Sequence, residues 1–275
     1  MKKLLFIVIC LFALSASALM SADTKTKESA EDAKRVKKAK ELLSKAIENV
    51  GGLNKINEVK TMYIEGVRDV VDPSRGIKEP FKLWWIAPDK FYAEFAYYKP
   101  VSGGYDGVDA WAINPYMSGS TAAAKLTFKD LTYYPEIMQI LMPEIIRYEE
   151  NKMTLRYEDD HELKDGKDYS KIRVTNADNS QEDYYFNPTT KFLYKRQRDD
   201  FNYMNKRIDL EIFYKEWQLV NGVQIPKYAE RFEDGVQITN YYINKVEINI
   251  PIDIKKFAMP KDTTTKKPAP AGKIK

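Results

Sequence analysis

Four Asp-Gly or Asn-Gly dipeptides punctuate this chain: Asp106-Gly107, Asp165-Gly166, Asn221-Gly222 and Asp234-Gly235. Each lies between extended runs, and such dipeptides tolerate the positive φ that a tight hairpin demands, so each predicts a reversal between antiparallel strands. The strands that fit around them are Val59–Val70, a Trp-rich pair within 80–98, Val101–Tyr105, Asp109–Asn114, Met153–Glu162, Tyr169–Thr175, Asp183–Phe186, Phe192–Arg198, Arg207–Val220, Val223–Glu233 and Val236–Ile250. Met153, Leu155 and Tyr157 oppose Thr154, Arg156 and Glu158, while Ile208, Leu210, Ile212 and Tyr214 oppose Arg207, Asp209, Glu211 and Lys215. One buried face and one wet face is the pattern of an antiparallel meander. About ten or eleven strands joined by tight turns predict a mainly β (α+β) chain, a strongly curved antiparallel sheet or unclosed β-barrel.

The most aromatic stretch runs from Pro80 to Tyr98 and reads as two strands joined at Ala87-Pro88-Asp89-Lys90. Pro88 cannot donate to a ladder and Pro-Asp is turn chemistry, which places the break. Phe81, Leu83 and Trp85 alternate on one arm and Phe91, Ala93 and Phe95 on the other. A sheet this aromatic needs a second layer, a lid or a ligand against it.

Two helical regions are available to cover it. In Glu28–Val50, Val36, Leu43, Ile47 and Val50 recur at helical spacing with Ala39 and Ala46 beside them, and Gly51-Gly52 ends the run. The small polar segment Met117–Ala124 is expected to be a mobile loop. After it, Leu131–Tyr148 carries Ile137, Met138, Ile140, Leu141 and Ile145, interrupted by Pro135 and Pro143. This predicts one or two short helices, the second starting at Pro143. Whether they form a cover over a cleft or an ordinary core helix is open at this level.

The ends carry other information. Lys2 and Lys3 precede the apolar run Leu4–Leu14, and Ala16-Ser17-Ala18 follows, the layout of a cleaved signal peptide. The expected organisation is a signal peptide over 1–22, cut after Ala18 or Ala22, one domain over 23–260, and a disordered basic tail over 261–275. Periplasmic localisation follows from that expectation. The single cysteine, Cys10, leaves with the signal, so disulfide and thiolate chemistry leave with it. Losing Lys2 and Lys3 lowers the formal charge from +4 to +2, which gives no electrostatic reason to expect a nucleic-acid partner.

Catalytic motifs are scarce. The lone histidine, His161, sits in Glu158-Asp-Asp-His-Glu162, where strand alternation prevents the convergence a zinc site needs. The sequence contains no Gly-x-Ser-x-Gly elbow, P-loop or dinucleotide fingerprint. The expectation is a non-enzyme without cofactor or metal.

Three segments, in order, resemble the LolA-like periplasmic lipoprotein carrier superfamily. They are Leu83-Trp-Trp-Ile-Ala-Pro-Asp-Lys-Phe91, Tyr105-Asp-Gly-Val-Asp-Ala-Trp-Ala-Ile-Asn-Pro115 and Tyr184-Tyr-Phe-Asn-Pro-Thr-Thr-Lys-Phe-Leu193. Gly222-Val-Gln-Ile-Pro226 and Asn249-Ile-Pro-Ile-Asp253 look like its longer members, the outer-membrane lipoprotein-sorting proteins. The resemblance implies an incomplete barrel, helices in its concavity and an apolar cleft for acyl chains. Where the dedicated carrier has an arginine implicated in lid closure, this chain has Ala87, so that opening mechanism does not transfer. The absent acylation cysteine argues against the membrane-anchored receptor branch. The function expected is an exported, monomeric binder of lipid, lipoprotein acyl chains or another apolar ligand, with envelope membrane proteins as further partners. By alternation, Leu83, Trp85, Phe91, Phe95, Trp111 and Ile113 would line the concave face, with Met138 and Leu141 covering them. An envelope protein-interaction module without ligand is the alternative, and a carboxylate-based envelope hydrolase the third.

Overall fold

A computed structural model describes residues 29–71, 76–96, 98–126, 133–141, 143–163, 165–201 and 206–261. The signal segment 1–22 and the tail beyond Lys261 lie outside the described residues. A long helix α1 (29–49) and a short one, α2 (Leu53–Glu58), precede the strands. Fourteen strands follow: β1 Thr61–Val70, β2 Ile77–Ile86, β3 Lys90–Phe95, β4 Val101–Tyr105, β5 Ala110–Ile113, β6 Ala124–Leu126, β7 Thr154–Tyr157, β8 His161–Glu162, β9 Asp168–Thr175, β10 Gln181–Phe186, β11 Leu193–Phe201, β12 Arg207–Val220, β13 Val223–Glu233 and β14 Val236–Ile248.

All pairings are antiparallel, in the order β6-β5-β4-β3-β2-β1-β14-β13-β12-β11-β10-β9-β7, with β8 on β9 beside this path. The sheet is therefore two meanders, β1–β6 and β7–β14, welded by β1 against β14. Its free edges, β6 and β7, are neighbours in sequence and do not pair, so the barrel stays unclosed. The excess over the expected strand number comes from short pieces. Residues 153–162 divide into β7 and β8, and β6 starts at Ala124, the last residue of the stretch expected to be a loop, whose first residues, Met117 and Ser118, end the helical turn α3 (Pro115–Ser118).

The chain reverses at each of the four dipeptides, through longer loops at Asp106-Gly107 and Asp165-Gly166, where the glycine alone has positive φ, and through tight turns at the other two. Asn221 and Gly222 have φ of 46° and 83°, and Asp234 and Gly235 have 49° and 78°. Both pairs are two-residue loops between directly paired strands, the type I′ arrangement whose twist matches the sheet.

One face of the sheet carries the core. Met62, Trp85, Phe91, Tyr105 and Ala110 form one cross-strand row, and Ile64, Leu83, Ala93, Gly103 and Ala112 the next. Helix α1 lays Ala39, Leu42, Leu43 and Ala46 into this core. Val36, expected in that stripe, is 37% exposed, because the buried face runs along the alanines one turn on. The end of α1 is pinned where the Gln224 N–H donates to the Val50 carbonyl at 2.9 Å. Among the described residues no helix is long and apolar enough to cross a membrane.

Trp111 and Ile113 do not face this core. The register runs Tyr63–Trp84–Tyr92–Gly104–Trp111, which puts Trp111 on the opposite, outer face, and Ile113 follows it by alternation. The inward residues of β5 are Ala110 and Ala112. Ala110-Trp111-Ala112-Ile113 is apolar at every position, so alternation within it names no inner side, and side-chain size misleads. Trp111 is buried all the same. It stacks on Tyr92, and its indole N–H donates to the Phe257 carbonyl at 2.8 Å, in a 3₁₀ helix (Ile254–Phe257) that closes over the outer aromatic row. Lys256 completes that cover, its ammonium 3.8 Å from the Trp84 ring centre.

Candidate functional site

Between β6 and β7 the chain crosses the open side of the barrel. Helix α4 (Tyr133–Leu141) and a 3₁₀ helix (Glu144–Arg147) form this crossing, broken at Pro143, whose extended backbone caps the second piece. The hydrophobic effect seats α4: Ile137, Ile140 and Leu141 are buried in the core, and the helix packs on β13 and β3, strands from the two meanders. A polar clamp fixes its orientation. The Glu136 carboxylate lies 3.0 Å from Arg231 Nε on β13 and accepts from the Tyr241 hydroxyl of β14 at 2.9 Å.

Beneath this crossing lies a cavity of about 880 Å³. Trp85, Phe91, Met138, Ile140, Leu210 and Ile212 supply its apolar wall. Leu83 and Phe95 are buried in the core behind that wall, and Leu141 borders a second, mostly apolar void of about 50 Å³ under α1. Of the eight residues expected to line a cleft, Trp85, Phe91 and Met138 reach the large cavity, Leu83, Phe95 and Leu141 pack around it, and Trp111 and Ile113 are outside.

The cavity also has a charged wall that the sequence reading missed. Two rows carry it: Tyr184–Arg196–Ile212–Arg231 and Glu182–Arg198–Leu210. Arg196 and Arg198 thus stand at inward positions between apolar neighbours. Glu182 Oε2 accepts from Arg196 Nε at 2.8 Å and from the Tyr184 hydroxyl at 2.9 Å, and Arg198 Nη1 stands 3.5 Å from its other oxygen. Arg198 also donates to Asp200 at 2.6 Å. Arg196 and Glu182 are 4% and 6% exposed. Burial alone would raise the Glu182 carboxyl; the Arg196 and Arg198 guanidiniums outweigh it and hold it at about 2. A carboxylate so held is ionised throughout the physiological range and is the reverse of a general acid. Asp209, which burial pushes up, is not a cavity residue.

Buried polar atoms here without a hydrogen-bond partner among the described residues include Arg196 Nη2, Asn176 Oδ1 and the Tyr214 hydroxyl, the last within electrostatic reach of Arg196. Asp89, Glu144 and Asp178, which also border the cavity, are solvent-exposed and mark its mouth. No cluster of three or more metal-ligating side chains occurs among the described residues, and His161 stands exposed at the start of β8.

No protein-family model matches the chain, and no curated protein matches it in sequence. Solved structures do match it in shape. A DUF1329 family protein from Desulfovibrio piger superposes with a TM-score of 0.54 at 10% identity, over 80% of this chain and 97% of that one. A domain assigned to the outer membrane lipoprotein-sorting proteins, from Vibrio parahaemolyticus, gives 0.52 at 10% identity, over 81% and 97%. A LolA superfamily protein from Nitrosomonas europaea gives 0.52 at 11% identity, over 80% and 97%. At such identities the likeness speaks for the fold alone, and on that ground the chain has the LolA-like unclosed-barrel fold.

Proposed function

We propose that this chain is an exported carrier or binder of lipids or lipoprotein acyl chains, and that the cleft beneath α4 receives the apolar part. The observation that carries the reading is the unfilled volume of about 880 Å³ between the sheet and its crossing helix. Small-molecule and lipid sites fall in the range of roughly 300–1,000 Å³, mostly apolar with a few polar groups. Trp85, Phe91 and Met138 are the proposed contacts, with Leu83, Phe95 and Leu141 shaping the cleft behind them. Each acyl CH₂ taken from water contributes about 0.8 kcal/mol, so ten carbons supply roughly 8 kcal/mol before association costs. Periplasmic residence and a role in outer-membrane lipoprotein sorting are part of the proposal. The signal-peptide pattern and the lipoprotein-sorting fold neighbour support them. An interior filled by its own side chains would have favoured a docking module instead.

Lipid extraction of the natively purified protein followed by mass spectrometry tests this. Co-purifying lipid, with displacement of a fluorescent fatty-acid probe, is expected. A protein that carries nothing and binds no probe refutes it.

A further inference from the structure

The charged wall of the cavity asks for something the apolar wall does not. A guanidinium offers five N–H donors and does not deprotonate in proteins. In Arg196, Nε is committed to Glu182, while Nη2 is buried with no partner. A buried donor left unmade costs about 1–3 kcal/mol, more when it is charged, so such a group is retained where something satisfies it. The carboxylates within reach are already engaged. Glu182 is shared by Arg196, Arg198 and Tyr184, Asp200 is held by Arg198, and Glu136 is held by Arg231 and Tyr241. Arg147 borders the same cavity from the crossing segment, with no ion-pair partner among the described residues.

We propose that the bound amphiphile carries an anionic head, a carboxylate or a phosphate monoester, seated inside the barrel on Arg196 Nη2, with its chain along Trp85, Phe91 and Met138. This deepens the lipid-binding reading and rests on it. Each head presents a pair of anionic oxygens that a guanidinium can bind through two N–H donors. The exposed acids Asp89, Glu144 and Asp178 also border the cavity, and none of them pairs with Arg196.

Calorimetric titration of the purified protein with four twelve-carbon amphiphiles tests the proposal: dodecanoate, dodecyl phosphate, dodecanol and dodecyltrimethylammonium. At least one anion is expected to bind tenfold or more tighter than the alcohol, and the better of the two anions identifies the head. In the double variant Arg196→Met/Glu182→Gln, which removes donor and counter-charge together, that preference, anion against alcohol measured in the same variant, is expected to fall below threefold. Arg196→Lys, which keeps the charge and loses the second amine, should also lose most of it. The comparison within the unaltered protein stands even if the variants fail to fold. Equal binding of anion and alcohol, or tighter binding of the cation, overturns the anionic seat and leaves the lipid-binding reading standing. Failure of all four to bind overturns both.

Discussion

Replacing Glu182 by glutamine would leave the buried Arg196 guanidinium without its counter-charge and take one of two carboxylate partners from the half-buried Arg198. The carboxylate accepts from Arg196 Nε at 2.8 Å and the Tyr184 hydroxyl at 2.9 Å, with Arg198 at 3.5 Å, and both Glu182 and Arg196 are almost fully buried. Its pKa is drawn from an ordinary 4.5 to about 2. At about 1.4 kcal/mol per unit, that shift corresponds to roughly 3 kcal/mol of folding stability at neutral pH. Removing one partner of a buried ion pair costs about 3–5 kcal/mol by a separate line of measurement, so the two magnitudes agree. The sign follows from the folded value lying below the unfolded one. The contribution is fully present above about pH 4.5 and is lost as pH falls toward about 2. Urea denaturation read by tryptophan fluorescence should therefore show Glu182→Gln less stable than the parent by about 3 kcal/mol at pH 7, with the gap narrowing below pH 4.5. Arg196→Met added to Glu182→Gln should recover more than half of the loss, since an apolar pair of similar volume replaces a broken ionic one. A cost under about 1 kcal/mol, or a double variant no better than the single, would refute the view that these groups form one buried unit.

Three further outcomes follow from other parts of the fold. Trp111→Phe keeps the aromatic stack on Tyr92 but leaves the buried Phe257 carbonyl without its donor, a loss of about 1–3 kcal/mol in thermal or urea unfolding; binding of a fatty-acid probe should not change, because this residue faces outward. Glu136→Gln removes the charge that joins α4 to Arg231, so amide exchange within 133–147 should quicken several-fold while exchange in β12 and β13 does not. Gly66→Ala should destabilise by 2 kcal/mol or more on the scale of overpacked sites, roughly, since a Cβ there would run into the Tyr242 carbonyl and the Phe81 ring at a β-bulge, and an unchanged melting temperature would show that the bulge yields.

The architecture was legible wherever two local signals agreed. Asn221-Gly222 and Asp234-Gly235 stand between extended runs, and the reversals emerged at those positions as expected. Pro143 likewise marked the break between α4 and the 3₁₀ helix that follows it. Alternation failed in two different ways. In Ala110-Trp111-Ala112-Ile113 both faces are apolar, and only the register through Gly104 decides that Trp111 lies beside Tyr92. In Lys195-Arg196-Gln197-Arg198 both faces are polar, so nothing local reports that Arg196 and Arg198 point inward. That direction comes from the partner strands, where Tyr184 and Ile212 flank Arg196 across the sheet. The charged wall was therefore hidden because it depends on long-range pairing, whereas the inward apolar positions Leu83, Trp85, Phe91 and Phe95 could be read from one hairpin.

The weld between β1 and β14 sets an order of events for the chain as it folds. Met62 pairs with Ile248 and Val70 with Thr239, so the first strand waits for the last before its second edge is satisfied. Topologies dominated by such distant pairings form slowly, because chain closure must be paid before the contacts reward it. Until then β1 and β13 are open edges able to pair with another chain, and each meander is a half-built wall with its apolar side uncovered. A chain cut before Val236 would lose more than one strand. It would hold two sheets no longer joined strand to strand, and aggregation rather than a smaller barrel is what such a fragment should yield.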